Sequence, residues 1–142
     1  MNELRRRAIG LLARREHSRA ELARKLAAEG TPEEIETVLA QLEAEGLLSD
    51  ARFAESWLRS RGDRYGAARL RQALRTKGIA GEIVETPLAT LADEFERARA
   101  VWAKKFGMAP TDARDWARQA RFLQGRGFAA EVIRRLLKEP NE

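Results

Sequence analysis

Residues 59–79 have the sequence RSRGDRYGAARLRQALRTKGI, which combines a strongly basic composition with a helical pattern of apolar residues. Seven of its side chains are basic and one is acidic, so the segment has a net charge of +6 in a chain whose total is +5. The apolar residues of its second half recur at the spacing of one helical face: Ala67, Leu70, Ala73 and Leu74. Gly78 follows, where a left-handed residue commonly ends a helix. We predict a short helix that turns its apolar face inward and its basic face outward.

Similar apolar stripes continue along the chain, without the sustained period-two alternation that would indicate strands. Ser18 and Thr31 mark helix starts, because each is followed three residues later by a glutamate, as in a capping box. Glycines mark the helix ends: Gly30, Gly46, Gly78, Gly107 and Gly127. Pro87 falls inside the sixth helical pattern and is expected to kink or split it, and Pro140 is expected to stop the ninth. The sequence therefore predicts nine helices and an all-α fold.

The nine predicted helices fall into three similar groups. A leucine, a glycine four residues later and an aliphatic residue five residues further on occur three times: Leu26-Gly30-Ile35, Leu74-Gly78-Ile83 and Leu123-Gly127-Val132. The glycines are 48 and 49 residues apart, a period typical of tandem helical repeats. We predict three tandem three-helix repeats, residues 1–48, 49–92 and 93–142, arranged as an elongated, curved array of right-handed helices.

Composition narrows the class of protein and of partner. With 44% hydrophobic and 35% charged residues, we expect a soluble chain that forms a core and has no membrane span or signal peptide. The absence of cysteine excludes disulfides and thiolate metal sites, and it fits the reducing cytoplasm. A pI near 10.2 favours a polyanionic partner. The predicted repeats have net charges of −1, +3 and +3, which places the excess of positive charge in the second and third.

We find no candidate catalytic residue, cofactor site or set of metal ligands. His17 is the only histidine, and because it lies beside the Ser18 cap in a charged segment we expect it to be an exposed loop residue. Acidic residues at 33–36 and 93–96 lie at helix starts, where they complement the helix dipole. Gly125-Arg126-Gly127 lacks the strand and the Lys-Ser/Thr of a phosphate loop and predicts a helix end. The tryptophans lie on apolar stripes and are predicted to pack in the core: Trp57, Trp102 and Trp116.

The basic residues of the opening segment form the candidate binding site. Arginine predominates over lysine, which favours bidentate contacts to phosphate or carboxylate groups. A merely solvated helix face usually mixes both signs of charge, whereas this one has a single acid. The predicted contact residues are Arg59, Arg61, Arg64, Arg69, Arg71, Arg75 and Lys77, with Arg118, Arg121 and Arg126 as an extension. Tyr65 lies in a turn among these arginines, and two roles are equally open for it: stacking on or contact with a partner, and a structural role.

Four segments resemble the RecX family, regulatory proteins of the bacterial RecA recombinase. They are ELARKL (21–26), GLLSDARFA (46–54), YGAARLRQAL (65–74) with KGI (77–79), and RFL (121–123) with RGF (126–128). They span nearly the whole chain in the family's order, although Gly66-Ala67 stands where the family often has Gly-Pro. The resemblance implies a non-enzymatic protein of three three-helix units that lies along the groove of the RecA filament on single-stranded DNA. Such proteins depress the filament's ATPase and strand exchange, favour its disassembly and bind DNA weakly by themselves.

Two other classes of function stay open from the sequence. The turn before the basic helix is compatible with a stand-alone DNA-binding protein of helix-turn-helix type. A helical-repeat scaffold that binds only proteins is also compatible with the pattern. We expect a monomer, because no long apolar stripe is left without a place in the predicted core.

Overall fold

A computed structural model describes residues 2–138, and every regular element within that range is helical. The elements are α1 (Asn2–Arg14), α2 (Arg19–Leu26), α3 (Pro32–Ala44), α4 (Asp50–Arg61), a 3₁₀ turn (Gly62–Arg64), α5 (Ala67–Thr76), α6 (Gly81–Ala89), α7 (Glu94–Lys105), α8 (Ala113–Gly125) and α9 (Ala130–Leu137). The predicted all-α fold is confirmed, whereas its elongated, curved arrangement and the three repeat boundaries stay predictions. Pro140 lies outside the described residues.

The helix starts and ends follow the local signals in the sequence. The Ser18 hydroxyl accepts a hydrogen bond from the Glu21 N–H, and Thr31 forms a complete capping box with Glu34. The glycines at positions 46, 78, 107 and 127 have φ between +72° and +91°, the left-handed region that glycine favours. α6 continues through Pro87 to Ala89, so the proline does not split this helix. Only one backbone hydrogen bond is lost to a proline at this position, and the short helix tolerates it.

The described chain divides into two compact units. The first unit comprises the residues up to Ser56 together with Leu74–Glu85, and in it α1, α2 and α3 pack against one another. Its core is aliphatic: Leu4, Ala8, Leu22, Leu26, Ile35, Val38, Leu39, Leu42 and Leu48. Burying a side chain of this kind stabilises the folded state by roughly 1.5–3 kcal/mol. The predicted apolar stripes of the first three helices therefore form one core.

Two polar contacts fix the start of α2 in the first unit. The Asp50 carboxylate accepts a hydrogen bond of 2.7 Å from the Arg19 N–H, which is one of the unpaired donors of that helix end. The Ser18 hydroxyl donates to the Lys77 carbonyl at 3.1 Å. Lys77 follows α5, so the start of α2 is fastened to the chain at the end of α5.

The second unit comprises Trp57–Ala73 and the described residues from Thr86 onward, and in it α9 packs on α7 and α8. Its core is smaller: Ala98, Leu123, Phe128, Ile133 and Leu137. Trp102 and Trp116 pack against this core half-buried, and Trp57 is also half-buried. The indole N–H of Trp102 donates to the Gln119 side-chain oxygen at 2.7 Å, so its polar edge is satisfied.

Candidate nucleic-acid interface

The predicted contact residues are distributed over both units. The second unit contains Arg59, Arg61, Arg64, Tyr65, Arg69, Arg71, Arg118, Arg121 and Arg126, and the first contains Arg75 and Lys77. Tyr65, Lys77 and Arg126 are half-buried, and the other members are exposed. Leu70 and Leu74 of α5 are completely buried while Arg71 and Arg75 of the same helix are exposed, so the predicted division of α5 into an apolar and a basic face is confirmed.

Tyr65 and two arginines form a compact group, which we call the Tyr65 cluster: Tyr65, Arg69 and Arg126. The guanidinium carbons of Arg69 and Arg126 lie 4.5 and 5.4 Å from the centre of the tyrosine ring, within cation–π distance. Arg69 also donates to the Gly125 carbonyl at 2.8 Å. Arg126 donates to the Arg64 carbonyl at 3.4 Å. Each of these bonds uses one N–H group of an arginine. The other N–H donors of both guanidinium groups are left for an anion.

Two glycines bring the backbone segments of this cluster together. The Gly66 N–H donates to the Arg126 carbonyl at 2.8 Å. A Cβ atom on Gly66 would lie 2.2 Å from the Gly127 carbonyl oxygen, and one on Gly127 would lie 2.3 Å from the Cβ of Arg69. No other residue fits at either position without moving the backbone. The Tyr-Gly and Arg-Gly-Phe segments therefore meet through their glycines and present their arginines side by side.

Glu94 supports the backbone next to the Tyr65 cluster through two hydrogen bonds, a role that the sequence did not predict. One carboxylate oxygen accepts a 2.9 Å hydrogen bond from the Ala67 N–H at the start of α5. The other accepts a 3.0 Å bond from the Ala129 N–H just before α9. The sequence predicted only that this acid would complement the dipole of its own helix, α7. Instead it caps two other helix starts, where a negative charge is also favoured.

Arg97 is a second residue that the sequence analysis missed. It is 7% exposed, and its guanidinium donates to the carbonyls of Ala92 at 2.5 Å and Tyr65 at 3.3 Å. Burial lowers the pKa of Arg97, and the nearby Glu94 carboxylate, 3.8 Å away, partly opposes this effect. The available signal was an arginine on the apolar face of α7, one position before the buried Ala98. Such a residue indicates an internal partner rather than a ligand.

Two of the three arginines at the end of α4 and in the following 3₁₀ turn have local partners of their own. The Arg61 guanidinium lies 5.4 Å from the centre of a Trp57 ring and donates to the Ser60 hydroxyl. Arg64 donates to the Ser60 carbonyl. The guanidinium of Arg59 has no hydrogen bond or ion pair with any side chain in the described range. Arg59 is thus the member of this group that a partner could bind without displacing an internal contact.

The α8 arginines are arranged along an exposed helix face. Arg118 pairs with the Asp115 carboxylate at 2.7 Å, and its guanidinium carbon lies 5.1 Å from the centre of the Phe106 ring. An open groove of about 330 Å³ follows this face; its lining residues are Asp112, Arg114, Asp115, Arg118 and Arg121. The two aspartates neutralise part of the positive charge here, whereas no acid of the described part of the chain is paired with the arginines of the Tyr65 cluster.

The prediction that His17 is an exposed loop residue is wrong. Its side chain is 1% exposed in the first unit. Nδ1 lies 3.0 Å from the Arg15 carbonyl and Nε2 lies 3.1 Å from the Lys25 ammonium group. An ammonium group can only donate, so Nε2 accepts, Nδ1 donates and the ring is neutral. Burial is the main reason that the pKa of His17 is lowered.

The described residues contain neither a metal centre nor a membrane span. No group of three or more histidine and acidic side chains there is arranged to hold a metal ion. No helix in the same range has the length and apolarity needed to cross a bilayer.

Three family models match the chain in consecutive order. They are described as the first, second and third three-helix domains of RecX, and they match residues 5–42, 49–88 and 92–137. The sequence is 51% identical to the regulatory protein RecX of Leptothrix cholodnii over 134 residues, which cover 93% of this chain and 85% of that protein. It is 46% identical to the regulatory protein RecX of Ralstonia nicotianae over 137 residues, 95% of this chain and 86% of the relative.

Solved structures have the same fold. The crystal structure of RecX from Lactobacillus salivarius superposes with a TM-score of 0.81 at 21% identity, over 99% of this chain and 96% of that one. A second crystal structure, of a regulatory protein RecX, gives a TM-score of 0.83 at 24% identity, over 97% of this chain and 71% of that one.

Proposed function

The chain belongs to the RecX family of regulatory proteins, and we propose that it binds the RecA filament on single-stranded DNA and lowers the filament's recombinase and ATPase activity. The filament is a polyanionic surface, so a protein of net charge +5 is attracted to it over a distance. Binding that competes with filament growth would promote disassembly. In this proposal the protein acts as a monomer in the cytoplasm and needs no cofactor.

The observation that carries the proposal is the cluster of arginines that the fold holds side by side at Tyr65. Two guanidinium groups lie over one ring with no acidic partner, and Arg59 nearby in sequence also has none among the described residues. Like charges held this close repel one another, and a bound polyanion relieves that repulsion. We assign the contact to the basic residues named above, which include Arg71 and Arg75 of α5.

We also propose that the chain is organised as three repeats, residues 1–48, 49–92 and 93–142. The second and third would supply most of the positive surface, since each has a net charge of +3 and the first has −1. Tyr65 would then fix the register of the arginines rather than form the main contact itself, because cations already cover its ring.

The direct experiment measures ATP hydrolysis by RecA on single-stranded DNA, with increasing amounts of this protein or of an Arg71→Glu/Arg75→Glu variant. We expect the variant to need at least about tenfold more protein for half inhibition, since two favourable phosphate contacts become repulsive. Arg14→Glu/Arg24→Glu is the matched control, with the same change of charge on exposed positions of α1 and α2. Equal potency of wild type and the α5 variant, with an unchanged circular dichroism spectrum, would rule out α5 as the contact.

A stand-alone DNA-binding protein is the second function that the basic surface permits. A gel shift on random-sequence duplex DNA without RecA separates the two. The filament regulator should bind weakly and with a steep salt dependence. Tight and sequence-selective binding would favour the stand-alone protein instead.

A further inference from the structure

A continuous series of cation–aromatic contacts extends the Tyr65 cluster across the second unit. Arg126 also lies 5.0 Å from the centre of the Phe122 ring, and Lys105 lies 5.3 Å from the same ring. Phe122 packs edge to face on Phe106 at 5.5 Å, and Phe106 in turn lies below Arg118. We call this series the cation–aromatic strip: Tyr65, Arg69, Lys105, Phe106, Arg118, Phe122 and Arg126. Lys105 and the two phenylalanines were not among the residues predicted from sequence.

The strip places its cations at short intervals. Because Arg69 and Arg126 both lie within 5.4 Å of one ring centre, their guanidinium carbons are at most about 10 Å apart, roughly three nucleotides of a stacked strand at about 3.4 Å each. Arg126 and Lys105 are related in the same way through Phe122. Within residues 2–138, Arg118 is the one of these four cations that is paired with a carboxylate. Such a row matches the charge of a phosphodiester chain better than that of a single small anion.

The aromatic rings of the strip hold the cations in place. Tyr65, Phe106 and Phe122 are all half-buried. Their faces are already in contact with guanidinium or ammonium groups, or with one another. A ring in this position fixes the direction of a flexible cationic side chain and lowers the entropy lost on binding. The same coverage leaves little ring surface on which a nucleotide base could stack.

We infer that the cation–aromatic strip binds the sugar–phosphate backbone of a nucleic acid strand through its charges alone, without stacking on the bases. The inference rests on the proposed function in taking a nucleoprotein as the target, and it names the DNA backbone as the ligand of this part of the surface. Ordinary single-strand binders gain much of their affinity from aromatic–base stacking. This strip instead uses its aromatic residues to position cations.

The first test measures fluorescence anisotropy of a labelled thymidine oligonucleotide, and of an abasic strand of the same length, with the full chain and no RecA. We expect the two strands to bind within about twofold of each other, because the phosphates are the same. If the bases stacked on the rings, the abasic strand would bind at least about fivefold more weakly per lost stack. A duplex of the same length distinguishes a preference for single strands from general backbone binding.

The second test uses Lys105→Gln/Arg118→Gln with the same oligonucleotide at several salt concentrations. Each phosphate contact on a single strand contributes about 0.7 to the slope of log K against log salt, so the slope should fall by about 1.4. The control is Arg24→Gln/Arg134→Gln, which removes the same charge from exposed positions outside the strip and should leave the slope nearly unchanged. An equal loss in strip and control variants would show that only net charge matters and would overturn the inference.

The RecA ATPase assay separates failure of this inference from failure of the proposed function. If wild type inhibits RecA but the strip variant keeps its full salt slope on free DNA, the strip is not the DNA contact and the proposed function stands. If wild type does not inhibit RecA, the proposed function fails, whereas the anisotropy results still decide whether the strip binds DNA.

Discussion

Replacing Glu94 tests how the binding surface is supported, because this carboxylate caps α5 and α9 together. Glu94→Ala removes both acceptors from the Ala67 and Ala129 N–H groups. Loss of one helix cap costs typically about 1 kcal/mol and up to about 2 kcal/mol. The Glu94 side chain is only 20% exposed, so water restores the lost bonds poorly. We therefore expect the free energy of unfolding to fall by about 2–4 kcal/mol.

Glu94→Gln distinguishes the loss of one helix cap from the loss of both. A glutamine retains one acceptor oxygen but turns an NH₂ group toward one of the two N–H donors, so one cap is lost and the charge is removed. It also leaves the Arg97 guanidinium, 7% exposed, without the carboxylate 3.8 Å away. We expect a loss of about 1.5–3 kcal/mol, most of the effect of the alanine variant.

The assay is urea denaturation followed by circular dichroism at the helical minimum, with Glu96→Ala as the control. Glu96 is in the same helix but is 55% exposed, and its one ion-pair partner among the described residues is Arg99, so its loss should cost less than about 0.5 kcal/mol. If Glu94→Ala is no more destabilising than Glu96→Ala, the double cap contributes nothing and the reasoning is refuted. Because α5 begins at this cap, Glu94→Ala should also weaken inhibition of RecA.

Three further predictions concern stability. Gly66→Ala should lower the free energy of unfolding by roughly 3 kcal/mol or more in a denaturant titration, because the new Cβ would lie 2.2 Å from a backbone oxygen. Gly125→Ala is the control: its Cβ would lie in open space, so the free energy of unfolding should stay the same or rise by about 0.5 kcal/mol. The hydrogen bond from Arg15 lowers the pKa of Glu21 from 4.5 to about 2. The stabilisation that the ionised Glu21 gives the folded state is therefore complete above pH 4.5 and is lost as the pH falls toward 2. Because Arg15 is half-exposed, Glu21→Gln should reduce this acid dependence of the free energy of unfolding by only about 1 kcal/mol. In an NMR titration, the pKa of His17 should lie below 6.5. Because the unfolded chain binds this proton at a higher pH than the folded chain does, the free energy of unfolding should fall as the pH drops below 6.5. A pKa of His17 at or above 6.5 would contradict the buried neutral ring.

Local sequence signals predicted the helices and the segregated faces of α5 well. A hydroxyl three residues before a glutamate, or a glycine after an apolar stripe, acts within one or two helical turns. Leu70 and Leu74 could therefore be placed inward, and Arg71 and Arg75 outward, from spacing alone.

Contacts between distant segments could not be predicted in the same way. Glu94 looked like an ordinary acid at a helix start, and its bonds to residues 27 and 35 positions away depend on how the helices pack. His17 looked exposed because its neighbours are charged, yet Lys25, one of those charges, is what satisfies its inward-facing nitrogen. The Tyr65 cluster was predicted as separate residues, and only the fold shows that Arg69 and Arg126 share one ring.

The bond between Ser18 and the Lys77 carbonyl has a consequence for limited proteolysis and for truncated proteins. It joins positions 59 residues apart, and the first unit contains Leu74–Glu85 as well as the first 56 residues. A fragment that stops after α3 would leave the buried Ser18 hydroxyl without its acceptor and would lack Leu74–Glu85, which belongs to the same unit. Cleavage at a helix boundary should therefore release unstable peptides rather than a folded three-helix module.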